Sequence, residues 1–225
     1  MKQIQDICIL VQARMGSQRV PSKMLRPFAE TTLTDILFEK LCQSTIIPKS
    51  NIYFSAYEDE LKHVGHKHGI NIFNRSKESA FAETDMQLIY EWHDKLPFKY
   101  VVLVSACNPL LTIETIDAFI NSFIESDKQG AFAVFEKKTY YWNKDGRAIT
   151  DWQGASIMNT KFVEPIYEAA HCLYASPLDI IKDGHWMDTI SPPQPELFVM
   201  KELEAFDIDY EWQFELGEYL YKRLC

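Results

Sequence analysis

Three cations, a glycine and a serine share one short segment, Gln12-Ala13-Arg14-Met15-Gly16-Ser17-Gln18-Arg19-Val20-Pro21-Ser22-Lys23. It follows an apolar run at residues 7–11 and precedes a helical pattern, so it reads as the loop leaving a first β-strand. In open α/β sheets, ligands bind outside the carboxyl ends of the strands. A loop there carrying Arg14, Arg19 and Lys23 is suited to a strongly anionic ligand. Gly16 lets backbone approach closely, and successive N–H groups of such a loop line a phosphate cradle. Pro21 fixes the way out of the loop. The glycine spacing matches neither the Walker loop nor the dinucleotide fingerprint.

Near the other end of the chain stands Asp207-Ile208-Asp209, ahead of a helical pattern at residues 211–222. In an extended segment the two carboxylates point to one side and Ile208 to the other. Such a pair suits Mg²⁺ or Mn²⁺, a hard cation completed by phosphate oxygens and water. The competing reading is that Asp209 simply caps the last helix, and the two roles are compatible. Arg75, in Asn74-Arg75-Ser76-Lys77-Glu78-Ser79-Ala80, has the guanidinium geometry that holds ribose or phosphate oxygens in pairs. A polar loop at a helix start is the alternative. His63 and His66 stand i,i+3 on a helix among lysines, a solvated face rather than a zinc site. Cys107 has no histidine partner nearby and reads as a packed small side chain rather than a nucleophile. Tyr140, Tyr141 and Trp142 suit a subunit interface better than a base-stacking platform.

The elements that must position these residues follow from pattern. Short apolar runs at 7–11, 52–56, 70–73, 100–105 and 131–135 alternate with helical patterns at 34–44, 58–68, 85–95 and 113–126. That alternation predicts an α/β, Rossmann-like, doubly wound and mostly parallel sheet. From residue 136 to 195 the rhythm fails. The segment holds a hairpin turn at 144–146, short strands at 155–159 and 171–174, and a stiff connector at 191–195. We read residues 1–225 as one domain, with 136–195 as a smaller extension for dimerisation or substrate binding. A last strand at 197–201 leads to the two aspartates.

Composition narrows the function. The chain has 225 residues and is 47% hydrophobic, enough for a sizeable core. Its formal net charge of −9 argues against nucleic acid as a partner, because phosphate contacts dominate such binding. Three cations in one loop of an acidic chain instead mark a local site for a small polyanion. The five cysteines are scattered and form no C-x-x-C pair, which fits a reducing cytoplasm. No apolar run approaches a membrane span, and the first residues lack a signal-peptide layout. The expectation is a cytoplasmic protein that uses neither membrane nor nucleic acid.

The pattern A-R-x-G-S-x-R-x-P-x-K over residues 13–23 resembles the signature of the cytidylyltransferases that activate acidic sugars. These are the CMP-sialic acid and CMP-Kdo synthetases and the SpsF-like proteins. Arg14, Ser17, Arg19, Pro21 and Lys23 fall on that signature. Residues 203–216 resemble the family's ending around D-I-D, and Ser105-Ala106-Cys107-Asn108-Pro109-Leu110 its segment before a helix. Residues 74–80 resemble R-P-x-E-L-A, which lies over the nucleotide in the sialic acid branch, with Ser76 in place of proline. Cys107 stands where the Kdo and SpsF-like branches carry aspartate. Asn159 and Thr160 stand where the sialic acid branch carries an arginine for the sugar carboxylate.

The resemblance implies CMP transfer from CTP to an acidic sugar, releasing pyrophosphate, in a homodimer. Gln12, Ala13, Arg14, Gly16, Ser17, Arg19, Lys23, Arg75 and Ser105 would bind the nucleotide. Asp207 and Asp209 would bind Mg²⁺ or Mn²⁺. Arg14, Lys23 and Asp209 would be catalytic. Asn159 keeps open a different acid or phosphonate acceptor, and Cys107 keeps open a member that binds nucleotide without turnover.

Overall fold

The computed structural model describes every residue except 152, 153, 155, 156 and 184–194, and only the backbone of 182 and 183. Trp152, His185 and the connector at 191–194 therefore lie outside the described residues. Among those described, β1 (Ile7–Gln12), β2 (Ile52–Ala56), β3 (Asn71–Asn74), β4 (Tyr100–Val104), β5 (Ala131–Lys137), β6 (Ile166–Pro177) and β7 (Glu196–Val199) form one sheet in the order β3-β2-β1-β4-β6-β5-β7. β1 pairs in parallel with β2 and β4, β2 with β3, and β5 with β7. β6 runs antiparallel to both β4 and β5. The sheet is the expected Rossmann-like, mostly parallel one.

Residues 7–11 of β1 are wholly buried because both faces of the strand are covered. Ile7, Ile9 and Val11 pack with Leu37, Phe38 and Leu41 of α1 (Leu33–Leu41), Leu61 of α2 (Asp59–Lys67) and Phe119 of α5 (Ile113–Glu125). Cys8 and Leu10 face the opposite layer with Trp92, Leu178 and Ile181. That second layer departs from the expected helix at 85–95. After α3 (Lys77–Phe81), only α4 (Met86–Ile89) is helical, and turns follow. Trp92 is the physical reason. It is fully buried, and its indole N–H donates to Gln12 Oε1 at 2.7 Å, so the chain leaves the helical path to insert the ring beneath β1.

The segment 136–195 also differs from its reading as an appendage. The expected short strand at 171–174 is part of β6, twelve residues long and central in the sheet. Alternation could not reveal it, since Cys172, Leu173 and Ala175 are buried by sheet neighbours distant in sequence. The hairpin is present: Asn143 N–H donates to Arg147 O at 2.9 Å, and Gly146 takes φ +77° at the turn. The strand expected at 155–159 is not formed at 157–159, and 155 and 156 lie outside the described residues.

Asp35 locks α1 to α2. Thr32 caps α1 and donates to Asp35 Oδ2 at 2.8 Å, while Lys67 Nζ and His68 Nε2 meet Asp35 Oδ1 at 2.9 and 2.7 Å. Burial alone would raise this carboxyl's pKa, but the hydrogen bonds with His68, Lys67 and Thr32 outweigh it and hold it below the usual range. The ionised form therefore stabilises the fold above the unfolded-state pKa, about 3.9, and that stability is lost as pH falls through the lower folded value. Asp35→Asn is expected to cost about 1–3 kcal/mol at pH 7 and to flatten the acid limb of a plot of denaturant midpoint against pH. An unchanged midpoint would show that the clamp contributes nothing.

Candidate active site

The loop leaving β1 is held at three points. Ala13 N–H donates to Ser55 O at 3.2 Å, Met15 N–H to Glu58 Oε1 at 3.0 Å, and Ser17 N–H back to Met15 O at 2.9 Å. Ser22 is left-handed at φ +54°, and its carbonyl accepts from Leu25 and Arg26 N–H. That bend carries Lys23 inward. Val20 and Phe28 anchor the loop in an apolar cluster with Leu33, Ile36, Ile208 and Phe214.

The same cluster brings the chain's other end to the loop. Lys23 Nζ, 12% exposed, donates to Ile208 O at 2.5 Å and lies 3.4 Å from Asp209 Oδ1. Arg19 Nη2 meets that oxygen at 2.7 Å, with its guanidinium over the Tyr210 ring. Ile208 N–H donates to Cys107 O at 3.0 Å, tying the aspartates to the end of β4. A cavity of about 580 Å³ opens between the β1 loop, the α3–α4 segment and Asp209.

Gln12, Ala13, Arg14, Ser17, Arg19, Lys23, Arg75 and Asp209 lie on the cavity wall, while Gly16, Ser105 and Asp207 do not. Gly16 does not have a positive φ, and a Cβ there would meet nothing within 4 Å, so the protein's own packing does not demand a glycine. Ser105 Oγ accepts the Cys107 N–H at 3.1 Å and shapes the turn behind the wall. Arg75 is buried and largely committed: Nε donates to Ser79 Oγ at 2.9 Å and Nη2 to Ser79 O at 2.7 Å. Burial and the charge of Arg14 lower its pKa, yet a guanidinium stays cationic. Arg14 Nη1 reaches Ala80 O at 3.3 Å, so two cations meet at α3.

The reading of Asp209 as a helix cap is not what the structure has. The N-cap of α6 (Glu211–Leu224) is Tyr210, and Gln213 in the first turn reaches back, its Oε1 accepting from Asp209 and Tyr210 N–H at 2.7 and 2.8 Å. Asp209's carboxylate is left to the cations. Asp207 is the other half of the pair. Its Oδ1 is buried and has no hydrogen-bond partner, and burial, then the charge of Asp209, push its pKa up against the pull of Lys23 and His171. A desolvated carboxylate oxygen with no protein partner, beside a second carboxylate, fits a hard divalent cation. Among the described residues no set of three or more His, Cys, Asp or Glu converges on one point, so other oxygens would complete the shell. Cys107 is half-buried on the cavity wall, where burial raises its thiol pKa against the pull of Lys23.

Three participants were not read as such in sequence. Glu58, which holds Met15, lies in an acidic run that looked like a helix start. Glu83 is on the cavity wall. His171, left-handed at φ +54°, acts electrostatically on Asp207 and pairs through Nδ1 with Tyr174 OH at 2.8 Å.

A family model described as "Cytidylyltransferase" matches residues 8–170. The spore coat polysaccharide biosynthesis protein SpsF of Bacillus subtilis is 27% identical over 53% of this chain, which spans 50% of that protein. The 3-deoxy-manno-octulosonate cytidylyltransferase 2 of Hydrogenovibrio crunogenus is 26% identical over 70% of the chain, which spans 65% of that protein. Among solved structures, a CMP:2-keto-3-deoxy-manno-octonic acid synthetase complexed with CTP superposes with a TM-score of 0.70. It covers 97% of this chain and 99% of its own at 10% identity, a likeness of fold.

Asp207 carries a stability cost. A carboxyl whose folded pKa is raised destabilises the fold at any pH above its unfolded value. Asp207→Asn is therefore expected to raise the thermal midpoint at pH 7 by roughly 2–4 °C. A lower midpoint would mark Asp207 as a structural partner instead.

Proposed function

Because the chain belongs to the cytidylyltransferase family, we propose that it transfers CMP from CTP to an acidic sugar and releases pyrophosphate. The observation that carries this reading is the cavity lined by Arg14, Arg19, Lys23 and Asp209, in which Arg19 and Lys23 pair with the Asp209 carboxylate. The acceptor class draws on the printed activity of the octulosonate relative. In the reaction a sugar hydroxyl attacks the α-phosphorus in line, and the bond to the β-phosphate oxygen breaks. Lys23 and Arg19 neutralise the triphosphate and the charge that develops on the leaving pyrophosphate. Arg14 and the Ser17 hydroxyl orient it, and Arg75 braces α3 and α4 against it. Asp207 and Asp209 would hold Mg²⁺ or Mn²⁺, which supplies charge neutralisation at the phosphates.

The working assembly is a homodimer. Trp142, Ile149, Met158, Phe162, Ile166 and Tyr167 are 40–68% exposed within the stretch 136–195, an apolar surface of the kind that marks an interface. The cytoplasm is the proposed location: all five cysteines are unpaired, and no helix among the described residues is long and apolar enough to cross a membrane.

The test is pyrophosphate release from CTP and Mg²⁺ with a panel of acidic sugars. Turnover is expected with CTP and one acid acceptor, lost in chelator, and reduced at least a hundredfold in Asp209→Asn. Tight CTP binding with no release from any acid acceptor would make the chain a nucleotide-binding protein rather than an enzyme. Sedimentation at micromolar concentration should give a dimer, and a strictly monomeric profile would refute the interface.

A further inference from the structure

Among the described residues, the cavity wall carries two carboxylates, Asp209 and Glu83, from separate parts of the chain. Asp209 is tied through Ile208 to Cys107, beyond β4. Glu83 belongs to the segment after β3, between α3 and α4. In the order β3-β2-β1-β4, three strand spacings, about 14 Å, separate β3 from β4. Asp209 is engaged by Arg19 and Lys23. Glu83 is exposed on the cavity wall and makes no hydrogen bond or ion pair among the described residues. Arg75, Ala82 and Ile89 of the same β3–α4 stretch also line that wall.

A nucleoside triphosphate is linear in its chemistry, with phosphates at one end, ribose between and base at the other. Lys23, Arg19 and Asp209 put the phosphates on the β4 side. The base would then extend along the cavity toward the α3–α4 segment, which carries Glu83. An ionised carboxylate only accepts hydrogen bonds. Cytosine presents an exocyclic amino group, a donor, at the position where uracil presents a carbonyl oxygen, an acceptor. A carboxylate is the side chain that pairs with the first and repels the second.

We propose that Glu83 is the specificity-determining residue for the base, accepting a hydrogen bond from the cytosine N4 amino group and excluding uracil. This rests on the functional reading above. It gives the site a reason to choose CTP that the phosphate cradle, blind to the base, does not supply.

The experiment is equilibrium dialysis of CTP, UTP and 2′-deoxy-CTP with Mg²⁺ against wild type, Glu83→Gln and Glu83→Ala. A glutamine amide can accept from cytosine or donate to uracil, so Glu83→Gln should shrink the CTP-over-UTP preference by roughly tenfold or more. Glu83→Ala should weaken CTP and, with the repulsion of the uracil carbonyl removed, strengthen UTP. Unaltered preference in both variants would overturn the assignment and leave the functional reading standing. So would parallel loss of CTP and UTP together with loss of the preference for CTP over 2′-deoxy-CTP, which would place Glu83 on the ribose. Equal binding of CTP and UTP by wild type would also overturn it. Failure of wild type to bind any of the three would overturn the functional reading itself, and this proposal with it.

Discussion

The site depends on one contact between distant parts of the chain. Lys23 is nearly buried, and an ammonium in that position needs acceptors. It finds Ile208 O and the Asp209 carboxylate, 185 and 186 residues further on. The packing that enforces this is apolar. Phe28 meets Phe214 edge to face with ring centroids 5.2 Å apart, and Val20 and Ile208 are wholly buried in the same cluster. The turn after Phe28 adds a polar tie, with Ala29 N–H donating to Glu218 Oε1 at 3.0 Å. The cationic loop and the two aspartates are thus one structural unit, although they come from opposite ends of the sequence.

Charge is organised within that unit. The chain is acidic overall, yet Arg14, Arg19, Lys23 and Arg75 meet at one cavity. Carboxylates hold them in place: Glu58 fixes the backbone of their loop, and Asp209 pairs two of them. Asp207, with its unpartnered buried oxygen, is the exception. Proteins retain such unfavourable groups where a ligand will use them, and the stability lost there is supplied by the surrounding core.

The sequence was legible where local pattern and burial agree. The run at 7–11 reads as a strand because both its faces are covered, and the cations spaced along the loop after it line one cavity. Asp207 and Asp209 bracket a buried Ile208 as alternation requires. What local pattern missed is long-range. β6 is a central strand because β4 and β5 pair with it from either side, and no periodicity encodes those neighbours. The helix expected at 85–95 is cut short because Trp92 finds Gln12 across the layer. Asp209 is not the cap because α6 starts one residue later, with Tyr210 at the N-cap and Gln213 reaching back to the Asp209 and Tyr210 N–H groups. Arg75 is an internal brace, since Ser79 lies one helical turn away and accepts from it.

The central claim is that Lys23, presented by the clasp with Asp209, carries the phosphates of the nucleotide. Calorimetric titration of CTP with Mg²⁺ into wild type and Lys23→Ala tests it most directly. Loss of one charge-assisted contact should weaken CTP by about 10- to 100-fold while the CD spectrum stays native. Equal affinity in the two proteins would contradict the account and place the phosphates elsewhere.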